Sequence, residues 1–153
     1  MDTKVSAAVL ARPGHVEIRE FDMPPLGKGA AICRVLMAGV CGTDKHSYRG
    51  ETVQYKGTEN EIDLPFPIIQ GHEIVMEIAA IDEEGARNLS YDGDYLKVGD
   101  RVTICPDVVC GKCWYCKNIP SYPWCEHLQF SYGNMRSCND GNHLYGGFSQ
   151  YVY

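Results

Sequence analysis

Basic residues are scarce in this chain. Its 153 residues hold 14 lysines and arginines against 20 aspartates and glutamates, a formal net charge of −6. Nucleic acids and anionic membranes are gripped by basic patches, so neither is an expected partner. Long apolar runs are also missing, and none approaches the ~20 residues of a membrane-spanning helix. The start, MDTKVSAAVLARPGHVE, has no long apolar core and no small-residue cleavage site. It does not read as a secretory signal, and the cytoplasm, where cysteines stay reduced, is the expected location. No Gly-x-Gly-x-x-Gly occurs: the nearest stretch, Gly27-Lys28-Gly29, has Ile32 where the third glycine belongs. A dinucleotide-phosphate cradle is therefore not expected within these residues.

What is present is alternation. Val16 and Ile18 share one face of His15–Glu20, and Ala31, Cys33, Val35 and Met37 share one face of AAICRVLMAG. Ile74, Met76, Ile78 and Ala80 alternate in EIVMEIAAI, and Val102 and Ile104 follow in the same way. A period of two predicts half-buried strands. RPGH, PPLGKG, YDGD and CNDGNH separate these segments as turns. No segment of a dozen residues carries a clean helical stripe. Short helices are expected after Cys41 and between Cys113 and Asn118, and the polar stretches Gln54–Asp63 and Asp82–Tyr95 read as solvated loops. The expected fold class is mostly β with short helices, one domain built as a twisted sheet or partly open barrel.

Eight cysteines stand at 33, 41, 105, 110, 113, 116, 125 and 138. Four crowd into CGKCWYCKNIPSYPWC: Cys110, Cys113, Cys116 and Cys125. Two residues between successive cysteines let a tight turn aim both thiolates at one ion, and four sulfurs at about 2.3 Å close a tetrahedral zinc site. An iron–sulfur cluster also uses Cys-x-x-Cys-x-x-Cys, but the Cys-x-x-x-Cys-Pro continuation is missing. Cys138 is an alternative fourth ligand. Cys33 reads as core, and Cys105 has no evident role.

A second constellation is split along the chain. Cys41 lies in VCGTDKH, and His72 with Glu73 lies in PIIQGHEIVMEI. Together they suggest a zinc site of mixed sulfur, nitrogen and oxygen ligands with one position left for water or substrate. Thr43 and Asp44 have a structural reading as well, since both residue types suit helix caps and first turns.

These residues resemble the N-terminal catalytic domain of the zinc-dependent medium-chain alcohol dehydrogenases, the family that includes sorbitol and threonine dehydrogenases. The matching segments are Gly39-Val40-Cys41-Gly42-Thr43-Asp44-Lys45-His46, Gly71-His72-Glu73, Val98-Gly99-Asp100-Arg101-Val102, the cysteine cluster, and Gly146-Gly147-Phe148-Ser149-Gln150-Tyr151-Val152. They run from about residue 30 to the C-terminus in the family's order. The resemblance implies a GroES-like, partly open β-barrel over 1–153, with a structural-zinc loop at about 105–126.

It implies a catalytic zinc on Cys41 and His72 with Glu73 beside it, and a structural zinc on Cys110, Cys113, Cys116 and Cys125. Asp44 would fix the His72 imidazole through its other nitrogen. Thr43 would meet the substrate hydroxyl, and His46 would carry the proton toward solvent. The implied activity is oxidation of a small-molecule alcohol, with zinc as Lewis acid and hydride passing to NAD or NADP. A full-length homo-oligomer is implied too. The Rossmann domain that binds the nicotinamide and the third zinc ligand follow, in the family, beyond the point where this sequence stops. The chain thus reads as a fragment, inactive alone, and a zinc-stapled binding module without catalysis is the alternative. A zinc-free quinone reductase fits less well, because that group lacks both zinc signatures.

Two departures from the family pattern stand out. Eight residues separate Cys116 from Cys125 where seven are usual, and Met76 replaces a glycine three positions after Gly-His-Glu. The second predicts local repacking near the catalytic metal.

Overall fold

The structure is a computed structural model that describes residues 3–51, 53–54, 56–59, 61–119 and 124–153. Strands β1 (Lys4–Arg12) and β2 (His15–Asp22) form a hairpin. After β3 (Ala31–Ala38) come α1 (Gly42–Tyr48), β4 (Val53–Gln54), β5 (Ile62–Asp63) and β6 (Ile68–Ile69). Next are β7 (Ile74–Ile81), α2 (Glu83–Asn88), β8 (Arg101–Thr103), β9 (Asp107–Val108), α3 (Trp114–Asn118), β10 (Phe130–Ser131) and β11 (Tyr151–Val152).

Two sheets dominate, in the strand orders β2-β1-β6 and β11-β3-β7-β8. The segment 148–152 joins them. Ala8 N–H donates to Phe148 O and Gln150 N–H to Ser6 O, while Val35 N–H on the other sheet donates to Gln150 O. One stretch of backbone thus serves both sheets, which makes the partly open barrel expected of this sequence. Its interior holds Val5, Val9, Ile32, Ile69, Leu144 and Tyr151, with a second cluster of Cys33, Ile74, Met76, Ile78 and Val152. Burial pushes the Cys33 thiol up to about 11, as fits a core residue. Met76, 1% exposed, fills this second cluster where a glycine would leave a gap.

Alternation predicts β2, β3, β7 and β8, misses β1, and places faces less well. Val16 and Ile18 do share a face, but it points outward, and they are 48% and 73% exposed. Met37 also faces out, at 71%. The cause is a bulge: Val35 pairs with Met76 and Met37 with Val75, so Leu36 is an extra residue and the alternation slips by one. A second irregularity lets consecutive Ile32 and Cys33 both face the core.

The stretch Asp82–Tyr95 is not merely a solvated loop. Asp82 caps α2, with Oδ1 accepting from Gly85 N–H at 2.8 Å and from Ala30 N–H at 3.1 Å. Gly85 and Ala86 are buried. Backbone N–H groups, that of Gly29 foremost and then that of Gly85, hold the Asp82 carboxyl below its ordinary pKa. In Gln54–Asp63, β4 and β5 pair as a short ribbon.

Gly146 presses backbone to backbone against β6: a Cβ there would stand 1.9 Å from Ile69 O. Gly146→Ala is expected to destabilise the chain by about 1–3 kcal/mol, the usual cost of overpacking. Gly42→Ala, where a Cβ meets nothing within 4 Å, should stay within about 0.5 kcal/mol of the parent. Urea unfolding midpoints at unchanged m would show the contrast.

Candidate metal centres

The first centre exists because of strand register. Ala38 at the end of β3 pairs with Ile74 at the start of β7, and beyond that pair Gly39 N–H donates to Glu73 O at 2.8 Å. The chain leaving β3 and the chain entering β7 therefore lie side by side. This brings Cys41 and His72, 31 residues apart in sequence, to 3.1 Å between Sγ and Nε2. Sulfur and nitrogen ligands of one tetrahedral zinc stand about 3.5 Å apart. Ligand atoms of Cys41, His72 and Glu73 lie within 4.8 Å of one another. Gly39 leaves space for the Glu73 carboxylate, since a Cβ there would come to 3.0 Å from Oε2. Cys41 and His72 are half-buried and Glu73 is exposed, so the group opens on one side.

Asp44, 4% exposed, ties the two halves together. Its Oδ2 accepts from Cys41 N–H at 2.9 Å and its Oδ1 from Gly71 N–H at 3.2 Å. Gln70 Nε2 donates to its carbonyl at 3.0 Å. The cap geometry foreseen for Asp44 is present, since its side chain closes a capping box with Cys41. The expected bond to the His72 imidazole is not: both carboxylate oxygens hold backbone instead, and His72 Nδ1 is buried without a partner.

A cleft of about 800 Å³ opens beside His72 and is lined by Thr43, His46, Asp107, Ser131 and Asn134. Thr43, half-buried in the first turn of α1, and His46, exposed one turn later, face it together. His46 Nδ1 contacts Glu51 Oε2. Ser131 Oγ donates to Asp107 Oδ1 at 2.5 Å across the β9–β10 pair. Glu51 and Asn134 were not legible from sequence. Glu51 sits in an ordinary polar stretch, and SYGNM carries no motif.

The second centre is the cysteine cluster. Sγ atoms of Cys110, Cys113, Cys116 and Cys125 lie within 4.8 Å of one another. The Cys110–Cys116 and Cys113–Cys116 sulfur distances are 3.9 and 3.4 Å, against about 3.8 Å for two thiolates on one tetrahedral zinc. Cys113 caps α3, its sulfur accepting from Cys116 N–H. Backbone N–H groups of Lys112 and Cys113 aimed at Cys110 lower its pKa to about 6. Desolvation and the neighbouring thiols push Cys116 up to about 12. Cys138 is outside the cluster, 1% exposed in the core, so Cys125 completes the set of four. Cys105 is exposed near Asp107 O.

One closed and one open ligand set on a partly open β domain define a candidate metalloprotein. The profile of the alcohol dehydrogenase GroES-like domain matches residues 27–153, and the chain belongs to that family. It is 32% identical over 126 residues to sorbitol dehydrogenase of Bacillus subtilis, covering 82% of this chain and 31% of that protein. It is 33% identical over 131 residues to L-threonine 3-dehydrogenase of Pyrococcus horikoshii, covering 84% and 33%. The structure of an alcohol dehydrogenase from Thermotoga maritima superposes with a TM-score of 0.79 at 31% identity, over 97% of this chain and 38% of that one. An alcohol dehydrogenase from Escherichia coli CFT073, solved with NADH, superposes at 0.69 and 31% identity, over 99% and 36%. The chain thus spans about a third of the length of the relatives it matches.

Asp44→Ala should cost roughly 1–3 kcal/mol by leaving two backbone donors unpaired, and Asp44→Asn, which keeps one acceptor, less. Thermal unfolding of both variants measures this. In the chelator-treated chain at pH 7, iodoacetamide should label Cys110, mainly thiolate at about 6, before Cys116, a thiol up to about 12. Peptide mapping by mass spectrometry gives the order.

Proposed function

We propose that these residues are the alcohol-binding, zinc-holding part of an NAD(P)-dependent alcohol or polyol dehydrogenase. The observation that carries the reading is the convergence of Cys41 and His72 at 3.1 Å at the mouth of a cleft that Thr43 and His46 also line. Zinc on Cys41 and His72, with Glu73 at hand, would supply Lewis-acid polarisation of an alcohol oxygen. Zinc on Cys110, Cys113, Cys116 and Cys125 would staple the loop at about 105–126 and leave no position open for substrate.

The side chains of the cleft suit the remaining work. The Thr43 hydroxyl both accepts and donates, so it takes the proton of the substrate hydroxyl and passes it on. His46 lies one helical turn away at the exposed rim and releases that proton toward Glu51 and solvent. Asp44 keeps Cys41 and the residue before His72 in register by accepting from Cys41 N–H and Gly71 N–H. Hydride acceptance belongs to a nicotinamide. The chain's own 153 residues contain no Gly-x-Gly-x-x-Gly to hold it. The eight cysteines, all free thiols, suit a reducing compartment such as the cytoplasm. Among the described residues no helix is long and apolar enough to cross a membrane.

Metal analysis of the purified chain tests this. Two zincs per chain are expected, falling to one on Cys41→Ser or His72→Ala. A single zinc indifferent to both substitutions would favour a stapled, non-catalytic binding module. No turnover of a panel of alcohols and polyols with NAD or NADP is expected from these residues alone, which hold no Gly-x-Gly-x-x-Gly, and measurable turnover would overturn that expectation.

A further inference from the structure

Two buried side-chain polar atoms among the described residues have no hydrogen-bond partner: His72 Nδ1 and Asn134 Oδ1. Both residues line the same cleft. They sit on segments packed directly together, for a Cβ on Gly133 would stand 2.9 Å from the carbonyl carbon and oxygen of Gly71. Gly71 and Gly133 immediately precede His72 and Asn134.

Their chemistry is complementary. Nε2 of His72 faces Cys41 Sγ at 3.1 Å. A ring that offers Nε2 to a metal carries its proton on Nδ1, and that N–H needs an acceptor. Asp44 does not provide one: its carboxylate is spent on Cys41 N–H and Gly71 N–H, and His72 Nδ1 has no partner. An amide oxygen buried in the adjoining segment can. A buried donor and a buried acceptor left unpaired would each cost free energy, and joining them removes both penalties.

We propose that Asn134 is the positioning residue of His72: its Oδ1 accepts from Nδ1–H, directly after a small side-chain shift or through one bridging water, and so fixes the tautomer that presents Nε2 to the metal. This rests on the zinc-site reading above. Asn134 touches no substrate in this role and acts only through the imidazole. Asn134 is 8% exposed, and the backbone that carries it packs on Gly71.

The test uses the chain with one equivalent of zinc, taken by the four-cysteine cluster, and then with two. At one equivalent, long-range proton–nitrogen spectra should show His72 protonated at Nδ1 in the parent and in Asn134→Asp, and shifted toward Nε2–H in Asn134→Leu. At two equivalents, chelator competition should show the second zinc bound 10–100-fold more weakly by Asn134→Leu, the usual effect of losing such a partner. Asn134→Asp should hold it at least as tightly as the parent. Retention of the first zinc reports that each variant has folded. An Nε2–H tautomer in the parent overturns the proposal without any variant, as does an Asn134→Leu chain with unchanged tautomer and zinc affinity. If the parent takes no second zinc, the zinc-site reading fails, and the tautomer comparison alone decides the part assigned to Asn134.

Discussion

The last pair of the β3–β7 ladder, Ala38 opposite Ile74, sets the position of everything in the open centre. Antiparallel pairing puts the exit of one strand beside the entrance of the other. A cysteine three residues past one end and a histidine two residues before the other must then meet. The Gly39–Glu73 hydrogen bond extends the ladder by one step. Asp44 then clamps Cys41 N–H and Gly71 N–H on a single buried carboxylate. A slip of one residue would turn His72 to the opposite face of the sheet, so the core packing of Ile74, Met76 and Ile78, which fixes register, also fixes the ligands.

The two centres differ in how they are built. The four-cysteine set is local in sequence, closed by turns whose backbone N–H groups point at sulfur. The Cys41–His72 set is long-range, open on one side, and leaves a buried nitrogen unpaired. Local closure suits a staple. Long-range assembly with an exposed side suits a site that must admit a small molecule.

Sequence showed four of the eleven strands among the described residues, β2, β3, β7 and β8, two of the three helices, and the members of both residue clusters, because period-two alternation and cysteine spacing are local signals. It misplaced faces where a bulge intervened. Nothing local to AICRVLMA reveals that Leu36 is the extra residue, since the bulge is set by the partner strand. The α2 helix was hidden because its cap, Asp82, is satisfied partly by Ala30, far away in sequence. Asp44 was legible as a cap and as a member of the site. Its allegiance to backbone, and the packing of Gly133 on Gly71, depend on segments over twenty and sixty residues distant. Met76 in place of glycine turned out to be a packing exchange inside the second core cluster.

Next to His72 much of the packing is backbone on backbone, with the Phe148 ring and the Ile74 side chain filling the rest. Gly133 lies on Gly71, Gly146 lies on Ile69, and Gly147 N–H donates to Gly71 O at 2.7 Å. The ligand-bearing corner therefore rests largely on main-chain atoms, which do not change when residues around the cleft are exchanged. Walls and rim are free to drift in size and polarity while the floor keeps its dimensions. Such a division lets residues around the cleft change while the spacing of Cys41 and His72 is kept, and it places the cost of each exchange in the loops.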